Sequence, residues 1–104
     1  MNRIEIYTKP TCPYCIAAKS VLIHMGLSFD EYQIDCDPAR RAEMIKRSKQ
    51  FTVPQIFIND QGIGGYDDLV ELIETGEFSA LIDESGIGAN NQVNNIYEDV
   101  QNAA

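Results

Sequence analysis

Two cysteines separated by two residues, Cys12 and Cys15, are the side chains of this sequence whose type and spacing are best suited to chemistry. Two thiols at this spacing can form and exchange a disulfide when they lie at the start of a helix. The residues around them predict that position, because a short apolar run precedes the pair and apolar residues at helical spacing follow it. The sequence therefore predicts a redox-active pair at a junction between a strand and a helix.

The first of the two thiols, on Cys12, is predicted to face the unpaired backbone N–H groups of the helix's first turn. Those donors and the positive end of the helix dipole stabilise a thiolate, and Lys9 adds a positive charge three residues upstream. Pro13 fits the same turn, because proline loses no hydrogen bond there that the helix would make. We therefore expect Cys12 to be the nucleophile, with a buried Cys15 that stays protonated until it is needed.

A pair of cysteines at this spacing also occurs as half of a structural zinc site, which needs two further ligands. The candidates are Cys36 and His24, and they do not form a second pair. We expect His24 to be a surface residue late in the first helix. Cys36 is expected to be a small, partly buried apolar residue and not a third redox partner. No metal is therefore expected.

Length and charge restrict the classes of function. The chain has 104 residues, which suits one domain, and a formal net charge of −8. Nucleic acid and anionic membranes are unlikely partners for such a chain, because binding to them depends on clustered Lys and Arg. All eight basic residues lie within residues 3–49, whereas residues 51–104 carry ten acidic residues and no basic one. Only the half that contains the cysteine pair can present positive charge to an anionic substrate.

The sequence also bears on where the protein works. No apolar run approaches the roughly 18 residues that a membrane span needs, and the N-terminus lacks a signal-peptide pattern. The three cysteines suit a reducing compartment better than an oxidising one, where paired cysteines are expected. We expect a cytoplasmic protein that acts as a monomer.

Hydrophobic periodicity and turn residues predict an α/β domain. The predicted elements are a strand over residues 4–7, a helix after the cysteine pair, a strand over 29–34, a helix over 37–47, a strand over 53–58, a short strand at 63, a helix over 67–75 and a short helix over 78–82. This order is that of a thioredoxin-like fold, a four-stranded mixed sheet flanked by helices.

The composition changes near residue 83, which predicts a domain over residues 1–82 followed by an Asn-rich extension over 83–104. A disordered tail is one interpretation of the extension. The other is an amphipathic helix over about residues 91–101, because Val93, Ile96, Tyr97 and Val100 lie at the spacing of one helix face.

Three segments of the sequence occur in a characteristic order: Cys12-Pro13-Tyr14-Cys15, Thr52-Val53-Pro54 with the strand after it, and Gly64-Gly65-Tyr66-Asp67-Asp68-Leu69. They resemble the signature segments of the dithiol glutaredoxins, and the likeness covers about residues 3–82. The resemblance implies a glutathione-dependent thiol-disulfide oxidoreductase that reduces protein–glutathione mixed disulfides and protein disulfides. Cys12 would be the nucleophile and Cys15 the resolving cysteine.

The resemblance also implies a groove for glutathione. Pro54 would be cis, leaving the Val53 backbone to pair with the cysteinyl part of glutathione. The γ-glutamyl end would lie at the second Gly of the Gly-Gly segment and the residues after it, and Lys9 would attract the glycyl carboxylate. The implied glutathione-binding residues are Lys9, Tyr14, Arg41, Gln50, Thr52, Val53, Pro54, Gly65, Tyr66, Asp67 and Asp68.

Two other functions stay open at this point. A thioredoxin would be reduced by a flavoprotein, but thioredoxins usually carry Trp-Cys-Gly-Pro-Cys and this chain has no tryptophan. A carrier of a [2Fe–2S] cluster would hold the metal between two protomers, with Cys12 and glutathione as ligands. Related monothiol glutaredoxins that do so have Gly-Phe-Ser after the cysteine, and the rigid Pro13 argues against that function here.

Overall fold

The computed structural model describes residues 3–83 of the chain. Their elements, in order, are β1 (Ile4–Thr8), α1 (Pro13–His24), β2 (Asp30–Gln33), α2 (Pro38–Ser48), β3 (Gln55–Ile58), β4 (Gln61–Gly64), α3 (Tyr66–Thr75) and α4 (Glu77–Asp83). The predicted order of strands and helices is confirmed. The helix predicted over residues 91–101 lies outside the described residues. Within residues 3–83, no helix is both long and apolar enough to cross a membrane.

The four strands form one mixed sheet in the order β2-β1-β3-β4. β1 is parallel to β2 and antiparallel to β3, which in turn is antiparallel to β4. Because Tyr7 near the end of β1 pairs with Gln55 at the start of β3, the segment before β3 lies beside the loop after β1. The sheet thus places Val53 next to Cys12, although 41 positions separate them in the sequence.

The sheet is buried on both faces. On one face, Ile4 and Ile6 of β1 pack with apolar residues of α1, α3 and α4. On the other face, Tyr7 packs with Met44 of α2 and Phe57 of β3. Since alternate residues of a strand point to opposite faces, the consecutive buried residues of β1 supply both halves of the core.

The start of α2 and the end of α3 follow local signals in the sequence. Asp37 caps α2, where its side chain accepts a hydrogen bond of 3.1 Å from the Arg40 N–H, and Pro38 follows at the first helical position. Gly76 ends α3 in the left-handed conformation with φ of 84°. Local residue type therefore determines where these helices begin and end.

One expectation was wrong. Cys36 is exposed, in the turn between β2 and α2, and does not pack as an apolar residue. Ile34 is the last residue of this segment that is buried in the core, and the side chains of the two residues after it are exposed. The Cys36 thiol lies 3.7 Å from the Asp35 carboxylate. His24 is exposed at the end of α1, as expected.

A network of buried and partly buried polar groups attaches α2 to the sheet. The Arg47 guanidinium donates to Glu5 Oε1 at 3.1 Å and to the Tyr7 hydroxyl at 2.8 Å, and it lies 4.0 Å from the centre of the Phe57 ring. The Tyr7 hydroxyl in turn donates to the Glu43 carboxylate. The Glu5 side chain is only 5% exposed. A buried carboxylate needs such partners, because burying a charge without them lowers the free energy of unfolding.

Acid is expected to weaken the fold through these carboxylates. Burial raises the pKa of Glu5, but hydrogen bonds from Arg47 and Tyr32 and the nearby positive charges outweigh burial and leave that pKa lowered. The pKa of Glu43 is lowered as well, mainly by the Tyr7 hydroxyl. A carboxyl group whose pKa is lower in the folded state contributes stability above its unfolded value of about 4.3, and this stability disappears as the pH falls through the folded value.

This pH dependence can be measured as the free energy of unfolding in urea between about pH 7 and about pH 3. We expect it to fall with pH in the native protein and to fall less steeply in Glu5→Gln, which has lost one of the titrating groups. Equal slopes for the two proteins would contradict the role given to Glu5.

Candidate active site

Cys12 is the N-cap of α1, and Pro13 is the first helical residue. The Cys12 sulfur accepts a hydrogen bond from the backbone N–H of Cys15 at 3.0 Å, the contact of a side chain that caps a helix. Its thiol also lies 3.9 Å from the Val53 carbonyl oxygen. Cys12 is partly exposed. The Cys12 sulfur therefore contacts a backbone donor and is open to a substrate.

Cys15 lies in the opposite situation, with no exposed surface. Burial raises the pKa of Cys15 to about 12, and the hydrogen bond with Cys12 contributes to this rise. The backbone N–H of Lys9 and the charge of Lys19 act in the other direction. The two thiols are therefore unequal: Cys12 is accessible, and Cys15 is buried and protonated at neutral pH.

The segment from Thr52 to Pro54 forms one wall beside Cys12. The Val53–Pro54 peptide bond is cis, as the resemblance implied. Thr52 Oγ1 accepts a hydrogen bond of 3.2 Å from the Gln55 side chain, which connects this segment to β3. Pro54 is buried and Val53 is half-buried, so the wall is anchored in the domain.

The start of α3 forms the opposite wall. Its N-cap is Gly65, whose N–H donates to Asp68 Oδ2 at 2.9 Å. A Cβ atom at Gly65 would lie 3.4 Å from the Pro54 carbonyl oxygen, so the two walls meet there. The unpaired N–H groups of the first turn of α3 form an environment that suits an anionic group.

Between these walls lies a groove of about 300 Å³. Its lining residues are Tyr14, Gln50, Thr52, Val53, Pro54, Gln55, Gly64, Gly65, Tyr66, Asp67 and Asp68. The fold thus brings together all the predicted glutathione-binding residues except Lys9 and Arg41, which are exposed and do not line the groove. Sequence reasoning did not assign Gln55 or Gly64 to this site, although Gly64 begins the Gly-Gly segment.

Tyr14 extends over the groove from the first turn of α1. It is 63% exposed, and its ring centre lies 6.0 Å from that of Tyr66 at the start of α3. An exposed aromatic ring at this place offers apolar contact to a bound peptide. Tyr14 therefore lies in the groove, where the family resemblance places it.

The shape of the groove depends on Gly64, which has φ of +103°. A Cβ atom there would lie 2.2 Å from Asp68 Oδ2. We expect Gly64→Ala to displace the Asp68 side chain and so to raise the KM for glutathione about tenfold or more, since a lost charged hydrogen bond costs roughly 1.5 to 3 kcal/mol.

Gly76→Ala is the matched control for that variant. Gly76 also has positive φ, of +84°, but nothing lies within 4 Å of its Cβ position. Steady-state kinetics should give a native KM for Gly76→Ala, with a loss of stability only. A similar rise of KM in both variants would show that backbone strain, and not the contact with Asp68, is responsible.

Comparison with known proteins agrees with this geometry. The sequence profile of the glutaredoxin family matches residues 4–63. The chain is 55% identical over 82 residues to Glutaredoxin 3 of Escherichia coli. The matched region covers 79% of this chain and 99% of that protein.

Solved structures give the same result. Glutaredoxin from Brucella melitensis is 44% identical, with a TM-score of 0.67 over 76% of this chain and 86% of that one. A buckwheat glutaredoxin–glutathione complex is 27% identical, with a TM-score of 0.73 over 82% of this chain and 80% of that one. The matched family, the thioredoxin-like fold and the unequal pair of thiols beside the groove lead to one assignment. This chain belongs to the glutaredoxin family and is an oxidoreductase of that type.

Proposed function

We propose that this protein reduces protein–glutathione mixed disulfides and protein disulfides, with glutathione as the source of electrons. The observation that carries the proposal is the position of the Cys12 sulfur. It accepts a hydrogen bond from the Cys15 N–H at 3.0 Å and lies 3.9 Å from the carbonyl oxygen of Val53, a residue that lines the groove. The buckwheat relative that was solved as a glutathione complex supports glutathione as the ligand of such a groove.

In the first step, the Cys12 thiolate attacks the glutathione sulfur of a mixed disulfide. The bond between that sulfur and the substrate protein breaks, and the protein thiolate leaves and takes up a proton. Glutathione is then held on Cys12 as a disulfide. A second glutathione, as thiolate, attacks the glutathione sulfur of this disulfide, which releases oxidised glutathione and restores Cys12.

The groove suits glutathione, the peptide that is bound in this reaction. The Val53 backbone is available to pair with the cysteinyl part, and the first turn of α3 offers N–H groups for the γ-glutamyl carboxylate. Asp67 and Asp68 can accept hydrogen bonds from the γ-glutamyl ammonium. The glycyl carboxylate would extend toward Gln50, with Lys9 and Arg41 as the nearby sources of positive charge in our proposal.

A protein disulfide needs both thiols. Cys12 attacks it and forms a mixed disulfide with the substrate, and Cys15, after losing its proton, attacks the Cys12 sulfur. The substrate leaves with both of its sulfurs reduced, and glutathione then reduces the Cys12–Cys15 disulfide. Because the thiols must be reduced again after each turnover, we propose that the protein works in the reducing cytoplasm, as a monomer.

The choice of reductant tests this proposal. Turnover of a glutathione mixed disulfide should proceed with glutathione, glutathione reductase and NADPH, and should be slow with thioredoxin reductase and NADPH alone. Cys36→Ser is the matched cysteine control and should keep native turnover, since Cys36 lies outside the groove lining. Efficient reduction by thioredoxin reductase without glutathione would assign the protein to the thioredoxin type of reaction instead.

A further inference from the structure

An ion pair next to the buried cysteine is not used by the reactions described above. Lys19 lies one helical turn after Cys15 on the same side of α1, and its ammonium is 2.8 Å from Glu31 Oε2 on β2. The two side chains are only 26% and 27% exposed. Water therefore screens their charges less than it would those of a pair on the open surface.

The pair is held in place from the sheet. The same oxygen of Glu31 accepts a hydrogen bond of 2.7 Å from Thr8 Oγ1, and Thr8 is fully buried at the end of β1. The backbone of the next residue, Lys9, favours the thiolate of Cys15. Two connections thus run from the end of β1 toward Cys15, one through the backbone and one through Glu31 and Lys19.

The charges of the pair oppose each other at the Cys15 sulfur. Burial and Cys12 raise the pKa of Cys15, and the charge of Lys19 acts in the other direction by favouring the thiolate. Burial raises the pKa of Glu31, but the hydrogen bonds from Lys19 and Thr8 and the charge of Lys19 together outweigh burial and leave that pKa lowered, so Glu31 remains ionised beside the ammonium. A negative charge there weakens the effect of Lys19 on the thiol.

We propose that the Lys19–Glu31 ion pair sets the rate at which Cys15 resolves a protein mixed disulfide, with Lys19 promoting and Glu31 restraining the formation of its thiolate. This rests on the function proposed above for Cys12 and Cys15. In the step concerned, the Cys15 thiol gives its proton to water and its sulfur attacks Cys12. The disulfide between Cys12 and the substrate breaks, and the substrate thiolate leaves. Lys19 and Glu31 are positioning residues, because they act through Cys15.

The reaction with Ellman's reagent separates the two thiols in time. Attack by Cys12 releases one thionitrobenzoate and leaves a second one bound to Cys12; attack by Cys15 then releases it. Every protein compared in this experiment also carries Cys36→Ser, so that no third thiol reacts with the reagent. Stopped-flow absorbance gives the rate of each phase as a function of pH.

Lys19→Gln should slow the second phase about tenfold near neutral pH and shift its pH profile upward, since the thiolate fraction of a mostly protonated thiol changes tenfold for each 1.36 kcal/mol of lost interaction. Glu31→Gln keeps a side chain able to bond Lys19 and Thr8 but removes the negative charge. It should accelerate the second phase and shift its profile downward. Lys19→Arg should restore the native rate.

Lys46→Gln, which removes an exposed lysine from α2, is the charge control and should leave both phases native. A merely structural ion pair would give the same direction of change in Lys19→Gln and Glu31→Gln, and that result would overturn the proposal, as would native second phases in both. Loss of the first phase in the background protein would instead refute the function proposed for Cys12, so the two failures are distinguishable.

Discussion

Replacing Cys12 with serine is expected to abolish the reduction of both mixed disulfides and protein disulfides, whereas replacing Cys15 with serine should abolish only the second. A serine hydroxyl is not ionised at neutral pH, so Cys12→Ser has no nucleophile beside Val53. In Cys15→Ser, the backbone N–H that contacts the Cys12 sulfur at 3.0 Å is retained. Glutathione can then still resolve the intermediate on Cys12.

The measurement is turnover of a glutathionylated protein and, separately, of a protein disulfide, each coupled to glutathione reductase. Thermal unfolding of each variant shows whether the fold is intact. Cys36→Ser is the matched control, because it makes the same substitution at a third cysteine. Retained turnover in a folded Cys12→Ser protein would contradict the mechanism. Loss of both activities in Cys15→Ser would mean that the buried thiol is needed for every reaction.

Removing the Arg47 guanidinium is expected to have the largest effect on stability. Arg47→Met keeps most of the apolar stem over Phe57 but leaves the Glu5 carboxylate, which is 5% exposed, without its main partner. Breaking a buried ion pair on one side typically costs about 3 to 5 kcal/mol. Since small domains are stable by about 5 to 15 kcal/mol, this single change removes a large part of the total.

Urea unfolding measures this loss, and two further variants show its origin. Lys46→Met, at the neighbouring exposed position of α2, should change stability by less than about 0.5 kcal/mol. Glu5→Met combined with Arg47→Met should recover much of the loss, because the buried carboxylate that has lost its main partner is then removed as well. A double variant as unstable as the sum of the single ones would assign the loss to packing instead of charge.

The features that the sequence predicted correctly depend on neighbours along the chain. Cys12 caps α1 because the N–H groups of a helix's first turn lie within four residues, and Asp37 with Pro38 starts α2 for the same reason. Alternation and helical spacing likewise predicted each described strand and helix. The cis state of Pro54 came only from the family resemblance, since nothing in the local sequence requires it.

The tertiary structure decided what lies beside these local features. Arg47 meets Glu5 from 42 positions away, and Cys12 meets Val53 from 41, because sheet order and strand register determine which distant residues approach each other. Cys36 is exposed because the chain leaves the sheet just before it.

Thus the sequence by itself determined the helix start and the position of Cys12 at its N-cap, both of which depend on contacts within a few residues. The groove, the burial of Cys15 and the ion pair near it were decided by packing between separate elements. Burial and Coulomb interactions depend on distance in space, and folding alone determines that distance.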